Sequence, residues 1–290
     1  MSNNVEKYNM PDADIAWCPG CGNFQILPTV KQTLAELDID PSEAAWVTGI
    51  GQAAKIPQYF KVNFFNGLHG RTLPVAVAIK AANPNLVVVA ESGDGCSYGE
   101  GGNHFIHNIR RNPDITNIVH DNRIYGLTKG QASPTTGKNI KTPIQVNGVF
   151  LEPFNPIAIA VASRASFVAR AFSGHKEQTR EILKKAIQHK GYALVDLLHP
   201  CVSFNKVNDY KWYKENTYYL EDDYDPTDQE QAFQISQKMD KLALGVIYKN
   251  DDRNTFDESL PPYQDSKDPL FKREQKLDVL KNIIDNFREE

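Results

Sequence analysis

The chain has 290 residues, a net charge of −4 at neutral pH, 41% hydrophobic and 23% charged residues, the balance of an ordinary globular protein. A mildly acidic chain presents no general surface for nucleic acid, and no stretch approaches the roughly 18 consecutive apolar residues of a membrane span. Four cysteines are too few for a disulfide scaffold and the polar first 16 residues lack the apolar core of a secretory signal, so a cytoplasmic protein is expected, its spaced cysteines serving metal or redox chemistry.

After the polar start, Phe24, Leu27, Val30, Leu34 and Leu37 recur at helical spacing and predict a helix over 23–37. AAWVTGI (44–50) reads as a strand that ends on the Gly-rich turn of Ile50, Gly51 and Gln52, and a helix rich in small residues follows at 71–82. LVVVA (86–90) is a β-branched run of the kind a parallel strand buried on both faces requires. A helix at 99–111 and a strand at 115–120 come next, then a loop over 122–148 with almost no apolar periodicity. Loops of that length inside a compact domain are usually functional. A helix at 155–165, a strand at 166–172, an amphipathic helix at 177–189 and a strand at 193–198 complete the alternation. This order predicts an α/β fold, a doubly wound parallel sheet with helices on both faces, spanning residues 1–208. From there charge density rises and apolar runs shorten. Residues 209–290 are expected to form a C-terminal surface extension packed on the domain or on a partner subunit, with helices at 228–242 and 271–287.

The most telling segment is GDGCSYGEGGNHFIHNIRRNPDITNIVHDN, in which Asp94 and Asn122 stand at the predicted carboxyl ends of two successive strands. Ligands bind at that edge of a doubly wound sheet. One carboxylate and one amide oxygen are hard donors suited to Mg²⁺, which completes its octahedron with phosphate and water oxygens. Gly93 and Gly95 let backbone approach a phosphate, and the following helix start offers free N–H groups. A lone Gly-Asp-Gly is a common turn; the strand-turn-helix-strand context gives it weight.

With that context, GDG and its downstream Asn resemble the thiamine diphosphate signature. DNRIYGLTKGQASPTT (121–136), WCPGCGN (17–23), TGIGQAAKIP (48–57) and GLHGRTLPVA (67–76) resemble, in order, the β subunit of the 2-oxoacid:ferredoxin oxidoreductases, and LGVIYKNDDR (244–253) is a weaker echo. The resemblance implies thiamine diphosphate with Mg²⁺ held by Asp94, Asn122 and the backbone carbonyl of Ile124. It places Ile50, Gly51, Gln52, His69, Gly93, Gly95, Cys96, Leu127 and Thr128 around the cofactor. It also implies CoA-dependent oxidative decarboxylation of a 2-oxoacid, pyruvate or 2-oxoglutarate among others, with electrons passing to ferredoxin. Catalysis then involves His69 and Lys129, the latter facing the substrate carboxylate, with Lys55 a weaker candidate. His175 and His189 are read as lying on an exposed helix, with no functional case.

In the same family, CPGC and a late Cys ligate a [4Fe–4S] cluster, here Cys18, Cys21 and Cys201. Such clusters normally take four thiolates, and this chain has Gln52 where many members carry a Cys. A non-Cys fourth ligand, a labile cluster and no cluster at all are left open. The chain also has no room for a second sheet to hold the aminopyrimidine, so a partner α (or α plus γ) subunit is expected to supply that half and the activating Glu. Two other classes stay in view: half of a non-redox thiamine-dependent decarboxylase, and a cofactor-binding module that serves assembly alone.

Overall fold

The computed structural model describes residues 4–274 and 276–288. Its frame is a single eight-stranded sheet. In chain order the elements are α1 (Asn23–Glu36), β1 (Ala44–Thr48), β2 (Asn63–Asn66), α2 (Thr72–Ala82), β3 (Val87–Gly93), α3 (Gly102–Arg111) and β4 (Thr116–Asp121). There follow α4 (Pro156–Ala162), β5 (Phe167–Phe172), α5 (Lys176–Gln188), β6 (Ala193–Leu198), α6 (Tyr210–Glu215), β7 (Thr217–Tyr219), α7 (Gln229–Ser236), β8 (Leu242–Lys249) and α8 (Leu277–Asn286). The strand order is β2-β1-β3-β4-β6-β5-β8-β7, parallel throughout except where β8 runs antiparallel to β5. Among the described residues no helix is long and apolar enough to cross a membrane.

Strand side chains alternate between two buried faces, which is why these segments read as unbroken apolar runs. Trp46, Val89, Ile118 and Val195 point to the layer that holds Leu27, Val30 and Leu34 of α1 and Ile182 and Leu183 of α5. Their neighbours Val47, Val88, Val119 and Leu194 point to the opposite layer, with Leu73 of α2, Phe105 of α3 and Ile157 of α4. Nothing in these runs favours one face over the other; the sheet is sandwiched.

Several expectations need correction. Strand β2 has four exposed residues and no buried face, so it carries no alternation to detect. The helix expected over 228–242 stops at Ser236, and the apolar run that begins at Leu242 is strand β8, paired along β5 with a register shift between Val168 and Ala169. Residues beyond 208 therefore contribute two strands to the sheet rather than lying wholly on its surface. His189 is buried against Phe167 at the end of α5, and His175 stacks on Tyr219. Helix α3 starts at Gly102 because residues Gly95–Glu100 form a π turn, a local widening frequent at functional sites.

Candidate functional site

Strands β1 and β2 lie to one side of the chain's reversal point and β3 and β4 to the other, so the crevice opens at the carboxyl ends of β1, β3 and β4. In the β3–β4 ladder Gly93 is level with His120, which sets the turns carrying Asp94 and Asn122 side by side. One cavity there is lined by Ile50, Gly51 and Gln52 from the exit of β1, by Gly93, Asp94, Gly95 and Cys96 from the exit of β3, and by Asn122, Ile124, Leu127 and Thr128 beyond β4, with His69 closing the wall. Lys129 does not line it; it is exposed in the left-handed region (φ +78°) and borders a neighbouring cavity. Lys55, in the 3-10 turn Ala53–Tyr59, lines neither.

Tyr125, which sequence reasoning passed over, defines the floor of the cavity. A Cβ on Gly95 would lie 2.1 Å from its ring, so only glycine lets the ring pack on the turn. The Tyr125 hydroxyl donates to Glu100 (3.1 Å), so the carboxylate orients that ring, and Glu100 Oε2 stands 3.2 Å from His69 Nδ1 without forming a hydrogen bond to it. Cys96 is buried and accepts the Gly70 N–H at 3.2 Å, fastening the turn that bears His69 to the turn that bears Asp94.

Asp94 is 2% exposed, and its carboxylate meets the Thr135 hydroxyl at 2.7 Å. The same hydroxyl lies 2.7 Å from Asp121. A hydroxyl has one hydrogen to give, so it donates to one carboxylate and must accept from the other, which requires a proton on the pair. Burial, and then repulsion within the acidic group, pushes both carboxyls up, Asp94 to about 6 and Asp121 to about 8. Asp196 adds to that repulsion, although Arg170 (2.9 Å) and the Tyr98 hydroxyl (3.1 Å) engage it. A divalent cation at Asp94 would relieve this strain by replacing the proton. The donor set suits Mg²⁺: the Asp94 carboxylate, the Asn122 side-chain oxygen and the backbone of Ile124, whose N–H donates to that oxygen at 3.0 Å in a tight turn.

Next to this cavity lies a second, lined by Cys18, Cys21, Cys201 and Lys129 and sharing Gln52, Asn122 and Gly126 with the first. Three contacts assemble it. The Trp17 indole donates to the Gln52 carbonyl (2.8 Å), and Asn205 donates to the Asn122 carbonyl (3.1 Å). A Cβ on Gly22 would meet the buried His199 at 2.7 Å, so Gly22 lets the CPGC turn rest against the strand exit that leads to Cys201. Burial pushes the Cys21 thiol up to about 11, with smaller contributions from Cys201 and Cys18. Among the described residues no three His, Cys, Asp or Glu side chains are grouped to hold a single metal ion. An iron–sulfur cluster spreads its thiolates more widely than one tetrahedral ion does. The donor set supplies three sulfurs and, at the shared wall, the Gln52 side-chain oxygen, buried without a partner.

The acid pair fixes a pH dependence. Both folded-state values lie above that of an unfolded Asp, so as pH rises the unfolded chain releases these protons first and the folded state loses ground. Whatever stability the pair contributes is present below about pH 4 and declines through about 6 and about 8. The melting temperature of the metal-free chain is expected to fall across that window, and Asp121→Asn to flatten the fall. Parallel profiles for parent and variant in calorimetric melts would show that the pair is not the cause.

A family description, "Thiamine pyrophosphate enzyme, C-terminal TPP binding domain", matches residues 43–197, and a second, describing the C-terminal part of the pyruvate ferredoxin oxidoreductase β chain, matches residues 201–265. The chain is 42% identical over 258 residues to 2-oxoacid:ferredoxin oxidoreductase 2, subunit beta, of Aeropyrum pernix, covering 85% of this chain and 84% of that one. It is 40% identical over 268 residues to the corresponding β subunit of Saccharolobus solfataricus, covering 86% and 88%. Among solved structures, a 2-oxoglutarate:ferredoxin oxidoreductase from Magnetococcus marinus, described with 2-oxoglutarate, coenzyme A and succinyl-CoA bound, superposes with a TM-score of 0.87 at 34% identity over 90% of this chain and 89% of that one. A thiamine pyrophosphate-binding sheet followed by the family's C-terminal segment, along nearly the whole of such relatives, places the chain in the family of 2-oxoacid:ferredoxin oxidoreductase β subunits.

Proposed function

We propose that this chain is the diphosphate-binding subunit of a CoA-dependent 2-oxoacid:ferredoxin oxidoreductase, with Asp94, Asn122 and the Ile124 carbonyl holding Mg²⁺ against thiamine diphosphate. The observation that carries this reading is the single cavity at the sheet's reversal point where those residues meet Ile50, Gly51, Gln52 and His69. When bound, thiamine diphosphate supplies a nucleophilic carbon and a sink for the electrons left by decarboxylation. The protein's part is placement. Gly93 and Gly95 would let backbone approach the diphosphate, His69, with Glu100 against its ring, would line the wall, and Tyr125 closes the floor of the cavity. Cys96, Leu127 and Thr128 complete the lining.

Asp94 is the sole carboxylate among the residues lining the cavity. The Glu that activates the aminopyrimidine therefore falls to a partner α (or α plus γ) subunit, and the isolated chain is inactive. Exposed Leu68 and Leu127, beside His69 and Thr128, are the surface on which that partner closes. Lys129, held above the shared wall, offers its cation to the carboxylate of the 2-oxoacid; Lys55 is set back from the cavity and has the weaker case. The three thiols of the adjoining cavity would hold an iron–sulfur cluster, which would supply one-electron chemistry for passing electrons to ferredoxin.

Replacing Asp94 with Ala in the assembled enzyme is expected to abolish titratable binding of thiamine diphosphate with Mg²⁺ while leaving the circular dichroism spectrum intact. Calorimetry showing parental affinity would overturn the assignment. Lys129→Met is expected to lower kcat/KM by roughly ten- to a hundredfold, the worth of one charge-assisted hydrogen bond, with cofactor affinity unchanged. Parental kinetics would return Lys129 to a solvated role. Gln52→Cys tests the second cavity: after anaerobic reconstitution, the variant should retain more iron and sulfide per chain on exposure to air than the parent. Equal retention means that Gln52 does not occupy the missing corner, and no iron or sulfide in either protein means that the thiols hold no cluster.

A further inference from the structure

Arg123 stands between Asn122 and Ile124, and its backbone is left-handed, with φ +60°. Sterics disfavour that conformation for a residue with a Cβ, whereas glycine adopts it freely. A bulky residue stays there only when its surroundings fix it. Here they do so at three points. The Asp121 carboxylate accepts the Arg123 N–H at 3.2 Å, the Thr136 hydroxyl donates to the Arg123 carbonyl at 2.6 Å, and the guanidinium lies over the Trp212 ring, 4.9 Å from its centroid. Asn122 and Ile124 line the cofactor cavity, but Arg123 lines neither cavity and is buried. The turn therefore presents its two flanking residues to the cavity and sends the side chain between them under Trp212.

The first two contacts use backbone atoms of Arg123 and would serve glycine equally; the stack alone uses the side chain. Arg123 Nε is buried without a hydrogen-bond partner, so hydrogen bonding at that atom does not explain why the cation is kept there. A flat cation over an indole face does, because that attraction grows as water is excluded. Trp212 is offered from a fixed element. Asp209 caps α6 by accepting the Trp212 N–H at 2.7 Å, and Tyr213 anchors it, fully buried among Phe172, Leu198, Leu242 and Leu244. The segment leading into α6 touches the turn again where Asn205 donates to the Asn122 carbonyl. Resting on Asn122 and Ile124 holding Mg²⁺, we infer that Arg123 is a positioning residue: its stack on Trp212 holds the turn in the left-handed form that presents both donors to the cavity. Without the stack, the arginine backbone relaxes toward its ordinary conformations and the two donors lose their common direction.

Mg²⁺ titrated calorimetrically into the metal-free assembled enzyme, with thiamine diphosphate in excess, tests the turn. Arg123→Lys keeps the charge and loses the plane, and Trp212→Leu loses the aromatic face. Each should weaken Mg²⁺ affinity by about tenfold. Both remove the same contact, so the double variant should lie within about twofold of either single one. Trp212→Phe keeps a ring face and should bind within about threefold of the parent. Arg123→Gly eases the backbone but has nothing to stack, and should also bind more weakly. A role in stability alone would lower the melting temperature and leave Mg²⁺ affinity parental. Parental affinity in Arg123→Lys or Arg123→Gly, or losses that add in the double variant, would overturn the proposal. Should Arg123→Lys fail to fold, Trp212→Leu binding as tightly as Trp212→Phe would overturn it equally. A parent enzyme whose thiamine diphosphate binding ignores Mg²⁺ would overturn the metal assignment and this inference with it, whereas parental Mg²⁺ binding with unmoved variants would overturn this inference alone.

Discussion

The level pairing of Gly93 with His120 in the β3–β4 ladder is the constraint on which the site depends. A parallel ladder fixes where two strands end relative to each other, and here both end on turns that carry oxygen donors. A one-residue slip would turn every side chain of β4 to the opposite face and carry Val119 and Ile118 into the wrong layers. The apolar alternation of the core therefore guards the spacing of Asp94 and Asn122, though neither residue is part of that core. The buried His120 ring reinforces it, bonded to Glu91 of β3 at 2.5 Å and to Asn23 of α1 at 2.9 Å. Asn23 follows the CPGC turn by two residues, so one polar chain ties the thiol cavity to the strand that leads to Asn122.

The acidic group beneath the cavity is buried at a cost. Asp94, Asp121 and Asp196 are all buried, and the hydroxyl shared between the first two is satisfied only if the pair keeps a proton. An unpaired buried carboxylate is expensive, and a fold keeps one where a cation or proton is on hand. Thr135 is anchored at this point, with Thr136 donating to the Arg123 carbonyl at 2.6 Å, so the long loop after β4 is pinned at the site itself. Any change in the charge of the pair acts directly on the loop that carries Lys129.

How much of this was legible follows from the range of each interaction. The strands bearing Asp94 and Asn122 announce themselves because burial on both faces leaves unbroken β-branched runs, and the turns between them are marked by glycine. Strand β2 has no buried face and left no pattern, and β8 lies in the stretch expected as a surface extension, meeting the helix expected over 228–242 only at Leu242. Thr135 reaches Asp94 across 41 positions of chain, and nothing local distinguishes that threonine from its neighbours. Glu100 and Tyr125 were missed for the same reason: their roles exist only in the contact between two turns. The CPGC pair was visible as a motif, whereas its meeting with Cys201 depends on Gly22 lying against His199.

The two cavities share a wall of Gln52, Asn122 and Gly126, and this arrangement bears on how the site divides its work. Asn122 is bound on both sides, its side-chain oxygen accepting from Ile124 and its carbonyl accepting from Asn205 of the Cys201 loop. A displacement in the thiol cavity therefore reaches the turn that carries Asn122 and Ile124 through one residue, without passing through the core. Gln52 is likewise held by its backbone through Trp17 while its side-chain oxygen stays unpaired at the boundary. A buried oxygen without a donor is retained at a loss of stability unless something else meets it.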